Sequence, residues 1–474
     1  MKDGGKVQKV PWVYLILTGL LCLGLFFCSA QMGQSRRGIS EDTFILEDDF
    51  HTPVLSFSPQ SPPYQGSLVL LPAYGRSKER YSDLAETLAG DGLMVLCLDL
   101  PGTGDSLKSF SLQQIPVFLE SAYSALLARN LVEPGKTAMA ADGQMGGVLT
   151  GWIEEHQEIV SAAILSFSSA EPGPKKGNVS PRLVWIKEPD KGVWFPQVAG
   201  QREIRQWLGK TFSLQTGLNP ATGFSFRFWW WTALLLSAAG FFVFLKSALY
   251  FLPVPEDTVL MEGLTLKKLL ILWISAHFAG SIIAILVPGS ALQPLGRVTV
   301  CAVCASIPLL LGMGPRWKPR ITWTAFGLST VLFLYLYLLF GSALNLYGIH
   351  LSLAYGRWSS MAMAMVFFIP YSFFMEFTLR HIQQALGFGK AAAGYLVLMA
   401  LAITFWYSIG LFADPGPPAS FLGFPGRASL IMVMLFMLVT LASLRYWARN
   451  AVSCALFQAL WLSWLFAAGS IRFS

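Results

Sequence analysis

The chain has 474 residues, of which 54% are hydrophobic and 13% charged, with 35 Phe and 16 Trp. That is too apolar for a water-soluble protein of this length, so a bilayer is expected to be its main solvent. The net charge of +7 does not indicate nucleic acid, because Lys and Arg are scattered over connections between apolar runs instead of gathered in one patch.

Residues 11 to 30, PWVYLILTGLLCLGLFFCSA, come after Lys2, Lys6 and Lys9 and are long enough to span a membrane. They also end in small residues, so a retained anchor and a cleaved signal peptide both fit. Either one exports the segment beginning at residue 31, because the positive flank stays in the cytoplasm.

Residues 31 to 225 alternate short apolar runs with helical stretches, the pattern of a mostly parallel sheet covered on both faces. Strands are expected at Ser67–Leu71, Met94–Leu98, Lys136–Ala141, Ala162–Phe167 and Arg182–Lys187. Helices are expected near 78–91, 112–130 and 146–157. Two weaker runs, Phe44–Glu47 and Val54–Phe57, suggest an antiparallel hairpin ahead of the sheet.

From residue 228 onward come eight more apolar segments, at about 228–252, 267–287, 298–314, 321–341, 360–379, 392–412, 428–444 and 452–469. With residues 31–225 outside, the cytoplasmic connections carry Lys267, Lys268, Arg316, Lys318, Arg320, Arg380, Lys390, Arg445 and Arg449, against Arg297, Arg357 and Arg427 on the outer side. This asymmetry agrees with the N-terminal lysines. Trp229, Trp230 and Trp231 suit an interfacial belt at the outer surface.

Three stretches of the soluble segment carry chemistry. LVLLPAYGRS, residues 68–77, places Ala73 and Tyr74 at a strand-end turn; LDLPGTGDS, residues 98–106, is a second strand with a Gly-rich turn; and Asp142-Gly143-Gln144-Met145-Gly146-Gly147 lies between a strand and a helix. From Ser67 to Trp194 the order resembles the α/β-hydrolase fold. The resemblance implies an oxyanion amide in the first turn and a G-x-S-x-G nucleophile elbow at 142–146. Gln144 stands where that family has its serine, and an amide has no proton for a base to remove. Asp142 replaces the first elbow glycine and reads as a turn or capping residue. Asp190 is placed like the triad acid, yet no histidine lies between it and the apolar segment at 228–252; of the two histidines of the soluble segment, His51 precedes the sheet and His156 falls on the helix after the elbow. What remains is a polar pocket beside helix N-terminal amides, suited to a small acyl or peptide ligand or a partner protein.

In the membrane segment, FFMEFTLRHIQQ places Glu376 and Arg380 four residues apart on one helix face, the spacing of an i,i+4 ion pair. Met375-Glu376-Phe377-Thr378-Leu379-Arg380 also resembles part of the E-E-x-x-x-R hallmark of the CPBP intramembrane proteases. That resemblance implies that Glu376 and a histidine would activate a water. Phe405 keeps the F of F-x-x-x-H, but Ile409 takes its histidine position and Gln458 takes another. His277 lies deep in a span, where it either approaches Glu376 or bonds to a neighbouring helix.

The fold class is therefore an α/β-hydrolase-like outer domain joined to an all-α polytopic module. Neither metal nor cofactor is expected: the Cys301/Cys304 pair has no second pair to complete a site. Two modules that each lack core catalytic residues are most simply read as a non-catalytic accessory protein in contact with lipids and partners. The alternative is a membrane-bound hydrolase, and a transporter fits less well.

Overall fold

The computed structural model describes residues 12–35, 38–60, 63–73, 77–108, 111–142, 145–166, 183–187, 198–213, 221–252, 254–255, 265–286, 300–307, 321–341, 357–413 and 427–469. Seven strands form one sheet: β1 (Ile39–Ile45), β2 (Pro53–Pro59), β3 (Ser67–Leu71), β4 (Met94–Leu98), β5 (Thr137–Asp142), β6 (Ile159–Ser166) and β7 (Leu183–Lys187), in the order β1-β2-β4-β3-β5-β6-β7. The expected hairpin is present: β1 pairs antiparallel with β2, and β2 antiparallel with β4. From β4 onward every pairing is parallel.

The central strands read as unbroken apolar runs because both faces are covered. Alternate residues of one strand serve opposite cores. Leu68 and Leu70 of β3 pack with Val95 and Cys97 of β4 against helix α2 (Ser82–Gly90) and helix α5 (Val198–Phe212). Val69 and Leu71 face the other way, onto helices α3 (Ile115–Ala128) and α4 (Met145–Glu155) through Phe118, Leu119, Leu149 and Trp152. Helix α5 is not among the elements expected from sequence. Its apolar side is narrow, with Ile204, Trp207 and Leu208 buried, and Arg205 grips Asp91 at the end of α2 through two bonds of 2.6 Å.

Helix α1 (Trp12–Ser35) precedes the sheet and helix α6 (Ala221–Phe251) comes after it. The two pack antiparallel. Phe27 meets Trp229 edge to face at 5.3 Å, a Cβ on Gly24 would stand 3.1 Å from Leu236, and one on Gly240 would stand 3.6 Å from Leu21. The remaining helices are α7 (Leu266–Leu286), α8 (Trp323–Tyr335), α9 (Arg357–Leu386), α10 (Phe388–Ala413), α11 (Arg427–Ala448) and α12 (Ala451–Gly469), with a short helical stretch over 300–307.

Among the described residues five helical segments are long and apolar enough to cross a membrane: Ile16–Gln34, Phe228–Phe251, Leu266–Leu286, Arg357–Leu386 and Ala451–Ala468. Of the eight apolar segments expected after residue 228, the one at 298–314 is described as helical only over 300–307. The segment expected at 360–379 is a longer helix of 30 residues, starting at Arg357. That start corrects one reading of charge. Arg357, by sequence a charge in an outer connection, is 1% exposed and donates to the carbonyls of Ala467 and Ala468 at 2.9 and 2.8 Å. It closes the C-terminal end of α12, where orphan carbonyls favour a cation.

Candidate functional site

The strands of a parallel sheet end together, and what stands at their C-terminal ends decides what the domain can do. Here the ends of β3, β4 and β5 are tied by charge. Lys78, in the short 3-10 turn Lys78–Tyr81 after β3, is 1% exposed. Its Nζ lies 2.8 Å from Asp99 Oδ2, 2.5 Å from Asp105 Oδ2 and 2.9 Å from Glu79 Oε1. Asp99, just past β4, also accepts the backbone N–H groups of Lys78 and Asp105, at 2.8 and 2.9 Å. The Gly-rich turn makes this closure possible, since Gly104 has φ +51° and a Cβ there would collide with the Asp99 carboxylate.

Burial works against the Lys78 ammonium, but the charges of Asp99, Glu79 and Asp105 together outweigh it and hold the amine protonated well above the usual lysine range. A permanently charged amine is neither a nucleophile nor a base. Cys97 is equally unavailable: burial, reinforced by the negative charge of Glu79, raises its thiol far above the ordinary range. Asp142, the last residue of β5, is 4% exposed and accepts the Tyr81 hydroxyl at 2.8 Å. Its carboxylate thus latches the β5 end to the turn after β3, a role that its sequence position as a turn or capping residue did not reveal.

Of the other residues singled out in this domain, Ala73 is partly exposed at the end of β3 and Met145 is fully buried at the first position of α4. Tyr74, Gln144 and Asp190 lie outside the described residues. His156, expected on the helix after the elbow, stands just past the C-terminal end of α4, with its ring stacked on Trp152 at 3.7 Å and its Nε2 2.8 Å from Glu120.

The helical module holds a second charged cluster, larger than the sequence suggested. Glu376 on α9 is 1% exposed and accepts Arg380 Nε at 2.8 Å, the i,i+4 contact. It also accepts Arg445 of α11, Nη2 at 2.5 Å on one oxygen and Nε at 3.3 Å on the other. By sequence Arg445 is a charge in a cytoplasmic connection. It is instead 8% exposed, in the last turn of α11, and forms a forked pair with a residue 69 positions away. His277 is not in this cluster: its Nδ1 contacts the Trp273 carbonyl at 2.9 Å and its Nε2 the Tyr371 hydroxyl at 3.2 Å, joining α7 to α9.

Gln458 on α12 is fully buried, and neither its amide oxygen nor its amide nitrogen has a hydrogen-bond partner among the described residues. Among the described residues of this module, Ser372 on α9, Tyr395 on α10, Thr440 on α11, and Trp461 Nε1 and Ser463 on α12 share that condition. Each such group costs about 1–3 kcal/mol if left unmet.

No protein-family model matches the chain, and no curated protein is similar to it. Solved structures similar to it include a bacterial membrane phospholipase A, 20% identical over 34% of this chain and 49% of that one, with a TM-score of 0.24. A lipase candidate from Acinetobacter baumannii is 19% identical over 29% of this chain and 46% of that one, also at 0.24. The epoxide hydrolase VrEH1 from Vigna radiata is 15% identical over 27% and 40%, at 0.22. In each case the chain spans less than half of the other protein's length, and similarity this limited assigns neither substrate nor activity.

Proposed function

We propose that this is a multi-pass membrane protein whose α/β domain lies outside the cytoplasm and binds a ligand or partner protein without hydrolysing it. The observation that carries this reading is the state of the strand ends. Where a hydrolase of this fold presents a nucleophile and its base, the charged groups here hold one another: Lys78 is clamped by three carboxylates, and Asp142 is occupied by Tyr81. Gln144, at the nucleophile position in the sequence, supplies no removable proton. The membrane module supports the same view, since three N–H contacts engage both oxygens of Glu376 and leave the carboxylate little capacity to activate a water.

A serine-directed fluorophosphonate should leave the purified full-length protein unlabelled, and Gln144→Ser alone should not create esterase activity, because no histidine stands between Asp190 and the apolar segment at 228–252 to take the proton. Labelling of a serine next to the elbow, read by mass spectrometry, would overturn the non-catalytic reading.

The antiparallel contact of α1 with α6 favours a retained anchor, with both ends of the α/β domain on one side of the membrane. The charge asymmetry survives the structural corrections. With Arg357 and Arg445 removed as buried residues, Lys267, Lys268, Arg316, Lys318, Arg320, Arg380, Lys390 and Arg449 still oppose Arg297 and Arg427. A non-permeant protease added outside intact cells should therefore cleave within 31–225 and spare the connection at 315–320. The opposite pattern would invert the topology.

A further inference from the structure

The side of helix α3 turned away from the sheet lacks the charges of an ordinary solvent face. Of its 14 residues, IPVFLESAYSALLA, only Glu120 is charged, and Val117 is 59% exposed. Val117, Ser121 and Ala125 follow one another at i,i+4 along one wall of a groove of about 720 Å³, a size within the range of ligand sites. The β1–β2 turn forms the second wall, and the end of α4 with His156 the third.

These walls are fixed to one another. Ser121 Oγ accepts the backbone N–H of Asp49 at 3.1 Å. Arg129, just past α3, reaches Glu47 at 3.1 Å while its guanidinium lies over the Phe44 ring. Across the groove Glu120 accepts Trp152 Nε1 at 3.3 Å and meets His156 Nε2 at 2.8 Å. A groove braced before binding loses little entropy when it is filled.

Its charge is one-sided. Glu47, Asp48, Asp49, Glu120 and Glu155 line it, with His156 as the one basic residue among them. Thr52 engages Asp48, Arg129 engages Glu47 and His156 engages Glu120. Asp49 and Glu155 are exposed and form no ion pair among the described residues. Glu154 and Glu155 also close α4 with no basic residue in its last turn, where the helix dipole disfavours a carboxylate and favours a cation. The whole chain is +7, so this acidity is local. Among the described residues no three His, Cys, Asp or Glu side chains converge as metal ligands, so the charge suits several separated cationic heads better than one ion.

From this juxtaposition we infer that the groove between α3, the β1–β2 turn and the end of α4 is the docking site for a basic segment of a partner protein. Lysine or arginine heads meet Asp49, Glu120 and Glu155, while their methylene stems lie along Val117 and Ala125. None of Lys78, Asp99, Asp105 and Asp142 lines the groove, and the assignment does not rest on the domain being non-catalytic.

The test is fluorescence anisotropy of a labelled hexapeptide alternating lysine and valine, titrated with the full-length protein in a neutral detergent. The same peptide with glutamate in place of lysine is the comparison. Saturable binding is expected for the lysine peptide alone, weakening as salt rises. Asp49→Asn with Glu155→Gln should weaken it about tenfold. Val117→Lys places a cation in the groove and should abolish it. Glu203→Gln, on α5 at the other face of the sheet, should leave the affinity unchanged. All four substituted residues are exposed, so the Tm of each variant should match wild type, and Val117→Lys carries the test if the double variant fails to fold. The inference fails if the lysine peptide does not bind, or if either groove variant keeps full affinity. It also fails if Glu203→Gln weakens binding as much as the double variant does. Spermidine binding as tightly as the peptide would overturn it in favour of a small polyamine, since charge alone would then be read.

Discussion

Glu376→Gln is expected to destabilise the protein by about 3–5 kcal/mol, several times what an exposed i,i+4 pair contributes. The difference lies in Arg445. An arginine that loses an i,i+4 partner at a helix end can turn its head group to the lipid–water boundary, but Arg445 is 8% exposed and bound to Glu376 through both Nε and Nη2. Glutamine keeps the shape and one acceptor oxygen while removing the negative charge, so two guanidiniums are left facing each other across a neutral amide. Denaturation in mixed micelles would read the loss. The double variant Glu376→Gln with Arg445→Met should recover part of it, because it removes the charge left without a partner. A loss under about 1 kcal/mol for the single substitution would show the forked pair to be energetically idle.

That cluster also shows where sequence reasoning ran out. Glu376 and Arg380 were legible because an α-helix places residues four apart on one face. Arg445 was not, because its partner is distant in sequence and nothing local distinguishes a buried arginine near a helix end from one in a connection. The same blindness misplaced Arg357, whose partners are backbone carbonyls of another helix. The sheet was far more legible. Strands such as Ser67–Leu71 and Met94–Leu98 are continuous apolar runs between helices, and that pattern sets their position almost to the residue. Val198–Phe212 escaped notice because its apolar stripe is only Ile204, Trp207 and Leu208, set among charged and polar residues. Gln144 stands in the sequence where the α/β-hydrolase pattern carries a serine, and it lies outside the described residues. The Lys78 cluster was not legible in the sequence, since its four members are separated by up to 27 residues and meet only because β3 and β4 are parallel neighbours.

Lys78→Met is the corresponding experiment for the α/β domain. The methionine side chain fills most of the space of the lysine stem but leaves Asp99, which is 0% exposed, together with Glu79 and Asp105 around an apolar group. Breaking a buried cluster from one side costs about 3–5 kcal/mol, and here three carboxylates are stranded at once, so the upper end of that range is expected. Lys78→Arg retains the charge and should lose less, with its larger head group straining the closure around Gly104. The pH profile separates this cause from loss of packing. Because the folded-state pKa of Lys78 is raised, its contribution is fully present below the unfolded value of about 10.4 and is lost as pH rises through the folded value. Wild-type stability should therefore fall above pH ~10.4 by a component that Lys78→Met does not show. If Lys78→Met unfolds at the wild-type denaturant concentration, or the two proteins share one alkaline profile, Lys78 is not what holds the ends of β3 and β4 together.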